Sequence, residues 1–175
     1  LTEFLPKMPD YQSLGSIDQI QGKTLVQPPG IKPVPETESG DHENLHILWC
    51  ARWEHDKNPD DFFKSLSKLK NSGVQFQLSV IGESYRNQPE CFEIAKKEFK
   101  DQIVHWGFQE SREDYDQVLK QADVIVSTAL HEFFGISVVE AVLSNCYPMV
   151  PNRLAYPEVF KNFPDFFYDG TVDDL

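Results

Sequence analysis

Two short stretches hold the side chains best suited to grip an anionic ligand. The first is Ala51-Arg52-Trp53-Glu54-His55-Asp56-Lys57-Asn58-Pro59. Arg52 offers a planar fork of donors and Lys57 a compact charge, so the two can close on one anion. The competing reading is a solvated loop in which Glu54 and Asp56 neutralise them. The second stretch is His131-Glu132-Phe133-Phe134-Gly135-Ile136-Ser137-Val138-Val139-Glu140, with a carboxylate on each side of a loop-to-helix junction. The first amides of a helix opening at Gly135, those of Gly135, Ile136 and Ser137, have no intrahelical partner, and the helix dipole adds to their pull on an anion. A diphosphate suits that place. Glu132 and Glu140 could then accept hydrogen bonds from hydroxyls on either side of it, one from a hexose and the other from a ribose. Against this, Glu132 could simply cap the helix and Glu140 could face solvent. Glu140 is, however, flanked by Val138, Val139, Ala141, Val142 and Leu143, so its helix is expected to be buried. A buried carboxylate needs a partner, and sugar hydroxyls would supply one.

Both stretches need a frame that aims them at one place, and the hydrophobic pattern supplies it. From His46 onward, short apolar runs alternate with amphipathic stretches, the form of repeated βα units around a parallel sheet. The pattern predicts strands at His46–Ala51, Gln75–Ile81, Ile103–Trp106, Val124–Ser127 and Tyr147–Val150. It predicts helices at Pro59–Lys70, capped by Asn58 and stopped by Asn71-Ser72-Gly73, then at Pro89–Phe99 and Arg112–Gln121. A fourth helix runs from Gly135 to Asn145, with Ile136, Val139 and Leu143 at helical spacing. Strand-to-helix loops in such a sheet all leave by one edge, where ligands bind. The loops after the first and fourth strands carry the two stretches above. His105-Trp106-Gly107-Phe108 ends a strand at that edge and is the candidate nucleobase loop, and His131 is placed to orient the loop that holds Glu132.

The chain's 175 residues suffice for one core without disulfide or metal. Residues 1–23 read as a linker or interdomain connection, and residues 24–175 as the ligand-binding domain. Thr24-Leu25-Val26-Gln27 is strand-like before Pro28-Pro29-Gly30, and Ile31 to Glu43 reads as a surface loop. The first residue is Leu1 and the last, Leu175, follows an acidic stretch, so the chain reads as an excised domain. A net charge of −12 argues against this surface attracting nucleic acid by itself. Cys50, Cys91 and Cys146 form no CxxC pair, which suits a reducing, cytoplasmic setting, the nucleus included. No apolar run approaches a membrane span. His42, His46, His55, His105 and His131 lack metal-type spacing, so no metal site is expected.

At this point the chain resembles the C-terminal, donor-binding half of a GT-B fold, as found in retaining glycosyltransferases of the large family four. The resemblance rests on the E-x7-E signature at Glu132 and Glu140 with Phe-Gly-Ile between them, and on the basic pair Arg52 and Lys57 after the first strand. Gly82 after the next strand, in Ser79-Val80-Ile81-Gly82-Glu83, completes it. It implies a Rossmann-like parallel sheet flanked by helices, a nucleotide-sugar donor with no other cofactor, and an absent N-terminal domain that holds most of the acceptor. The strings Arg52-Trp53-Glu54-His55-Asp56-Lys57, His105-Trp106-Gly107 and His131-Glu132-Phe133-Phe134-Gly135 further resemble the tRNA-queuosine mannosyltransferase subgroup. By that resemblance GDP-mannose is the donor, tRNA the acceptor, Arg52, Lys57 and Glu132 the catalytic residues, and Glu140 the ribose partner. It further implies donor contacts from Gly82, His105, Trp106, Phe108, His131, Phe134, Gly135, Ile136 and Ser137. Another donor and acceptor, a noncatalytic module of the same fold, and nucleotide-sugar epimerisation or hydrolysis stay open. A dinucleotide-dependent oxidoreductase lacks its GxGxxG.

Overall fold

The apolar runs form strands, and those at the centre of the sheet are covered on both faces. In the computed structural model, which describes residues 15–32, 44–85 and 88–175, they are β1 (Leu45–Cys50), β2 (Phe76–Ile81), β3 (Ile103–Gly107), β4 (Val124–Val126) and β5 (Tyr147–Pro151). A short β6 (Phe167–Tyr168) completes the sheet. Along β1 the side chains alternate as a pleated strand requires: Ile47 and Trp49 enter one core, Leu48 the other. The first core holds Phe62, Phe63, Leu66, Phe92 and Phe99 from the helices, and the second Val118, Leu119, Val138, Ala141 and Tyr156.

All neighbouring strands pair in parallel, in the order β3-β2-β1-β4-β5-β6. This is the doubly wound order, in which the chain steps outward from β1 in one direction and later returns to β1's other side. The helices that make the crossovers are α2 (Pro59–Asn71), α3 (Cys91–Glu98), α4 (Arg112–Gln121), α5 (Ile136–Leu143) and α6 (Tyr156–Val159). The loops after β1 and β4 therefore leave adjacent strand ends toward opposite faces, and a crevice opens between them.

Local chemistry sets the helix ends. Pro59 occupies the first turn of α2, whose missing N–H costs nothing there. Asn58 stands at the cap position but with φ of 50°, and its side-chain amide donates to Asp61 Oδ2 at 2.8 Å instead of accepting a helix N–H. At α4 the cap is made by Ser111, whose Oγ accepts the Asp114 N–H at 3.0 Å.

Several expectations change. Within residues 1–23, Gly15–Gln21 form a helix, α1. Thr24–Gln27 is not a strand: Leu25 is 90% and Val26 82% exposed, and extended chain without a neighbour makes no ladder. The chain divides into compact units after Gly30, within the Pro28-Pro29-Gly30 turn. Residues 33–43 of the expected surface loop lie outside the described residues. In α5 the buried face is Val138, Glu140 and Ala141, while Ile136 and Leu143, at helical spacing in a helix expected to be buried, are about half exposed. The sequence pattern also missed α6 and β6, which are too short to show a period.

Candidate active site

The crevice between the ends of β1 and β4 is a cleft of about 510 Å³ whose lining includes Arg52, Lys57, Gly82, Glu132, Gly135 and Ser137. That volume suits a small ligand. Lys57 ends a single 3-10 turn, His55–Lys57, and is only 8% exposed. Its Nζ donates to the His131 carbonyl at 2.7 Å and to Glu132 Oε2 at 3.2 Å, with Asp56 Oδ2 3.6 Å away. Backbone bonds knit the same two loops: the N–H groups of Leu130 and His131 reach the Asp56 carbonyl at 2.8 and 3.3 Å, and Thr128 Oγ1 donates to the Lys57 carbonyl at 2.8 Å. Arg52 behaves differently. Its side chain is half exposed and pairs with Glu54 at 3.1 Å. The solvated-loop alternative therefore describes Arg52 as it stands, but not Lys57.

Glu132 does two things at once. While Oε2 meets Lys57, Oε1 accepts the N–H groups of Phe133 at 3.0 Å, Phe134 at 3.4 Å and Gly135 at 3.1 Å. Burial disfavours its charge, but the Lys57 ammonium and the amides of Phe134 and Gly135 outweigh that and hold its pKa below the usual range. Of the three amides expected to face a diphosphate, that of Gly135 is thus taken by Glu132. Gly135 itself has φ of 82°, and a Cβ there would stand 2.7 Å from Tyr156 Cε1. Ser137 Oγ donates to the Cys50 carbonyl at 2.9 Å and ties α5 to the end of β1. Gly82 also lines the cleft. With φ of 148°, it would place a Cβ 1.8 Å from the Ala51 carbonyl oxygen, so only glycine lets β2 leave past β1.

Glu140 is 8% exposed, as its apolar neighbours imply, and its partners are protein groups from α4. Arg112 Nη1 donates to Oε1 and the Tyr115 hydroxyl to Oε2, each at 2.8 Å. The Arg112 guanidinium also lies over the Tyr115 ring at 4.9 Å and pairs through Nε with Asp116 at 2.8 Å. The sequence places both on the helix from Arg112 to Gln121 but assigns neither to the site. The available signal was their spacing, three apart on a helix that starts at the ligand edge, which puts both on one face. Burial pushes the Tyr115 phenol far above its usual pKa, with the Cys50 and Glu140 charges and hydrogen bonds adding to the rise. Burial likewise raises the Cys50 thiol to about 11, so it is no thiolate nucleophile at neutral pH.

The expected nucleobase loop is only partly assembled. Phe108 is exposed and, with Gly82, Glu83, Gln109 and Tyr115, lines a side pocket of about 110 Å³ next to the cleft. His105 instead meets the Gln121 side chain at 2.9 Å, and Trp106 packs edge-on against Trp53 at 5.3 Å. Neither lines the cleft or the side pocket, because alternation along β3 directs them elsewhere. Trp53, inside the basic loop, turns into the core and stacks on Phe92 at 4.2 Å. His131 and Phe134 do line the cleft, and the His131 ring meets Phe133 edge-on at 5.0 Å. Among the described residues no group of three His, Cys, Asp or Glu side chains could hold a metal ion. Among them, too, no helix is long and apolar enough to cross a membrane.

Comparison with known proteins agrees with this architecture. The tRNA-queuosine alpha-mannosyltransferase of Drosophila melanogaster is 38% identical over 168 residues, covering 90% of this chain and 44% of the relative. The chain thus spans under half the length of that relative. Among solved structures, the pneumococcal O-GlcNAc transferase GtfA, in complex with UDP and GlcNAc, superposes with a TM-score of 0.62 at 17% identity, over 83% of this chain and 30% of that one. The catalytic domain of cholesterol-alpha-glucosyltransferase from Helicobacter pylori does so with 0.58 at 18% identity, over 74% and 80%. At such identities these structures speak for the fold alone. The profile described as "Glycosyl transferases group 1" matches residues 36–174, from before β1 to past β6. With most of its length inside that match, the chain belongs to the glycosyl transferases group 1 family.

Proposed function

We propose that this chain is the donor-binding half of a retaining mannosyltransferase that moves a mannosyl group from GDP-mannose to queuosine in tRNA. The observation that carries the reading is the convergence of Lys57, Glu132 and the start of α5 on one cleft between β1 and β4. That is where a nucleoside diphosphate rests in a doubly wound sheet, with its anion at a helix N-terminus. The mannosyl donor and the tRNA acceptor are supported by the Drosophila relative's name and by the motif strings shared with its subgroup.

The chemistry asked of the protein is electrostatic. As the glycosidic bond breaks, charge grows on the departing diphosphate, so Lys57, Arg52 turned from Glu54, and the first free amides of α5 lower the barrier more than they strengthen substrate binding. Glu132, fixed by Lys57, positions the hexose, and Glu140 serves the ribose side. The acceptor hydroxyl approaches on the face the diphosphate leaves, and its proton passes to a diphosphate oxygen. With a net charge of −12, this half leaves most of the tRNA contact to the rest of the enzyme. The chain alone is expected to bind donor weakly and to transfer no sugar.

A second reading keeps the fold but takes a uridine nucleotide, since the GtfA neighbour was solved with UDP. Calorimetric titration with GDP, UDP and GDP-mannose separates the two. Tighter guanine-nucleotide binding, lost in Arg52→Ala, supports the mannosyltransferase reading, and tighter UDP binding replaces it with the second. No binding of any nucleotide by folded chain removes the donor-site assignment.

A further inference from the structure

The loop between β4 and α5 is tied down along its backbone yet turns a large ring outward. Phe133 is 87% exposed. Its N–H and those of Phe134 and Gly135 go to Glu132 Oε1, Glu132 Oε2 meets Lys57, and the N–H groups of Leu130 and His131 reach the Asp56 carbonyl. With the main chain held at each of these points, the exposure of the ring comes from where the loop aims it. The ring lines the 510 Å³ cleft and, being exposed, stands at its rim, where His131 meets it edge-on at 5.0 Å. We propose that Phe133 recognises the acceptor, as a platform on which a nucleobase of the tRNA stacks while the acceptor hydroxyl is brought to the hexose. The inference rests on the mannosyltransferase reading with its nucleic-acid acceptor.

Position and charge both point to a base. Phe133 follows directly on Glu132, the carboxylate assigned to the hexose, so an acceptor that reaches the hexose comes past this ring. A phenyl ring in water offers neither a hydrogen bond nor a charge. It offers a flat apolar face, and it gains from a partner that covers that face. A phosphate backbone would find little to hold here: Lys57 is buried and bonded to Glu132, and Arg52 is paired with Glu54. In a half with a net charge of −12, phosphate contacts are disfavoured, whereas stacking needs no basic residue and works with every base, since each has a π face. Unpaired bases of RNA loops are held in this way on exposed aromatic side chains. Phe133 thus lets an acidic domain take part in holding an RNA acceptor without a basic patch.

The test uses the complete enzyme with Phe133→Ala, Phe133→Leu and Phe133→Trp, and reads kcat and KM for tRNA beside GDP-mannose binding by titration. Because the ring is exposed, none of the three should shift the melting temperature. Phe133→Ala should lower kcat/KM for tRNA roughly 10- to 100-fold, the worth of one base stacked on an aromatic side chain, mainly through KM, with donor affinity within about twofold of the original. Phe133→Leu, apolar but without a π face, should lose nearly as much. Phe133→Trp should keep the original value, and its added fluorescence should be quenched by tRNA and not by GDP-mannose. If leucine restores what alanine loses, or if donor affinity falls together with that for tRNA, the ring packs on another part of the enzyme, and the inference is overturned while the transferase reading stands. The same follows if all three variants use tRNA as the unaltered enzyme does. If the unaltered enzyme transfers no mannose to tRNA, the acceptor reading itself fails, and the inference with it.

Discussion

The ammonium of Lys57 lies 3.2 Å from Glu132 Oε2 and 2.7 Å from the His131 carbonyl, so one buried cation fastens the loop after β1 to the loop after β4. It adds a charged tie to the hydrogen bonds that Leu130, His131 and Thr128 already make to the carbonyls of Asp56 and Lys57. Lys57→Met keeps the apolar stem but leaves the Glu132 carboxylate with only its amide donors. Because Glu132 retains some solvent contact, the cost is expected at about 2 kcal/mol, below that of breaking a fully buried pair. For a chain of this size that is a fall in Tm of roughly 5 °C. Glu132→Gln in the same background should cost less than it does alone, since the two residues are coupled. Thermal melts of the four proteins in that cycle check both statements.

The same carboxylate gives acid stability a definite sign. Against the opposing effect of burial, Lys57 and the amides of Phe134 and Gly135 hold the folded pKa of Glu132 below the ordinary value of 4.5. A group whose folded pKa is depressed lends stability that is complete above its unfolded pKa and is lost as pH falls through the folded one. Asp61 acts in the same direction, chiefly through the Asn58 amide and also through Lys64. Stability should therefore be flat with respect to these groups above about pH 5 and should fall below about pH 4.5. Glu132→Gln should flatten part of that acid limb, with Asp61→Asn removing a further part. Melting temperature followed from about pH 7 to about pH 3 tests it, and an unchanged slope in Glu132→Gln would contradict the linkage.

Arg52 offers a clean separation of binding from stability. It is half exposed and, among the described residues, its ion-pair partner is Glu54, a pair of the sort that contributes at most about 1 kcal/mol. Arg52→Ala should leave Tm nearly unchanged, yet in the complete enzyme it should slow transfer roughly 100- to 1,000-fold, as loss of a donor to a developing oxyanion does. Glu54→Ala should have the opposite effect on nucleotide affinity, strengthening it by releasing the guanidinium. A Glu54→Ala chain that binds nucleotide no better than the unaltered one would mean that Arg52 does not reach the ligand.

Much of this site was legible from residue types and spacing, and the failures have physical causes. Lys57, Glu132 and Gly82 line the cleft as the motifs implied, because each is tied to a strand end whose position the βα alternation sets. Glu140 was rightly expected to be buried, since its neighbours on α5 are apolar. What the sequence could not show was who faces it: Arg112 and Tyr115 come from another helix, and packing between helices is not written in local periodicity. The same limit explains α5, where an apolar helix nearly all round gave no face to choose, and Ile136 and Leu143 turned outward instead of Val138 and Ala141. His105 and Trp106 were assigned to the ligand by their place at a strand end. Their side-chain direction follows from register in β3, which pairs irregularly with β2 around Leu78 and Ser79. Short elements such as α6 and β6 carry no period at all and exist only because Tyr156, Phe160 and Tyr168 find a core to enter.

Gly82 and Gly107 end adjacent strands, and substitution of each separates two kinds of backbone cost. Both have positive φ, 148° and 99°, so alanine at either position is strained by its conformation. They differ in what surrounds them. A Cβ on Gly107 meets nothing within 4 Å, whereas on Gly82 it falls 1.8 Å from the Ala51 carbonyl oxygen and 2.7 Å from the carbonyl carbon. Backbone atoms of a central strand cannot yield as a side-chain tip can, and Ala51 is itself bonded through its N–H to the Ile81 carbonyl at 3.2 Å. Gly107→Ala should therefore cost about 1 to 2 kcal/mol, while Gly82→Ala should cost about 3 kcal/mol or more, a fall in Tm near 10 °C. Because Gly82 also walls the cleft, its substitution should weaken nucleotide binding even at temperatures where the chain stays folded, and Gly107→Ala should not. Melts and titrations of the two single variants decide the matter: equal Tm losses would mean that conformation alone, and not the close passage of β2 by β1, demands glycine at this edge of the site.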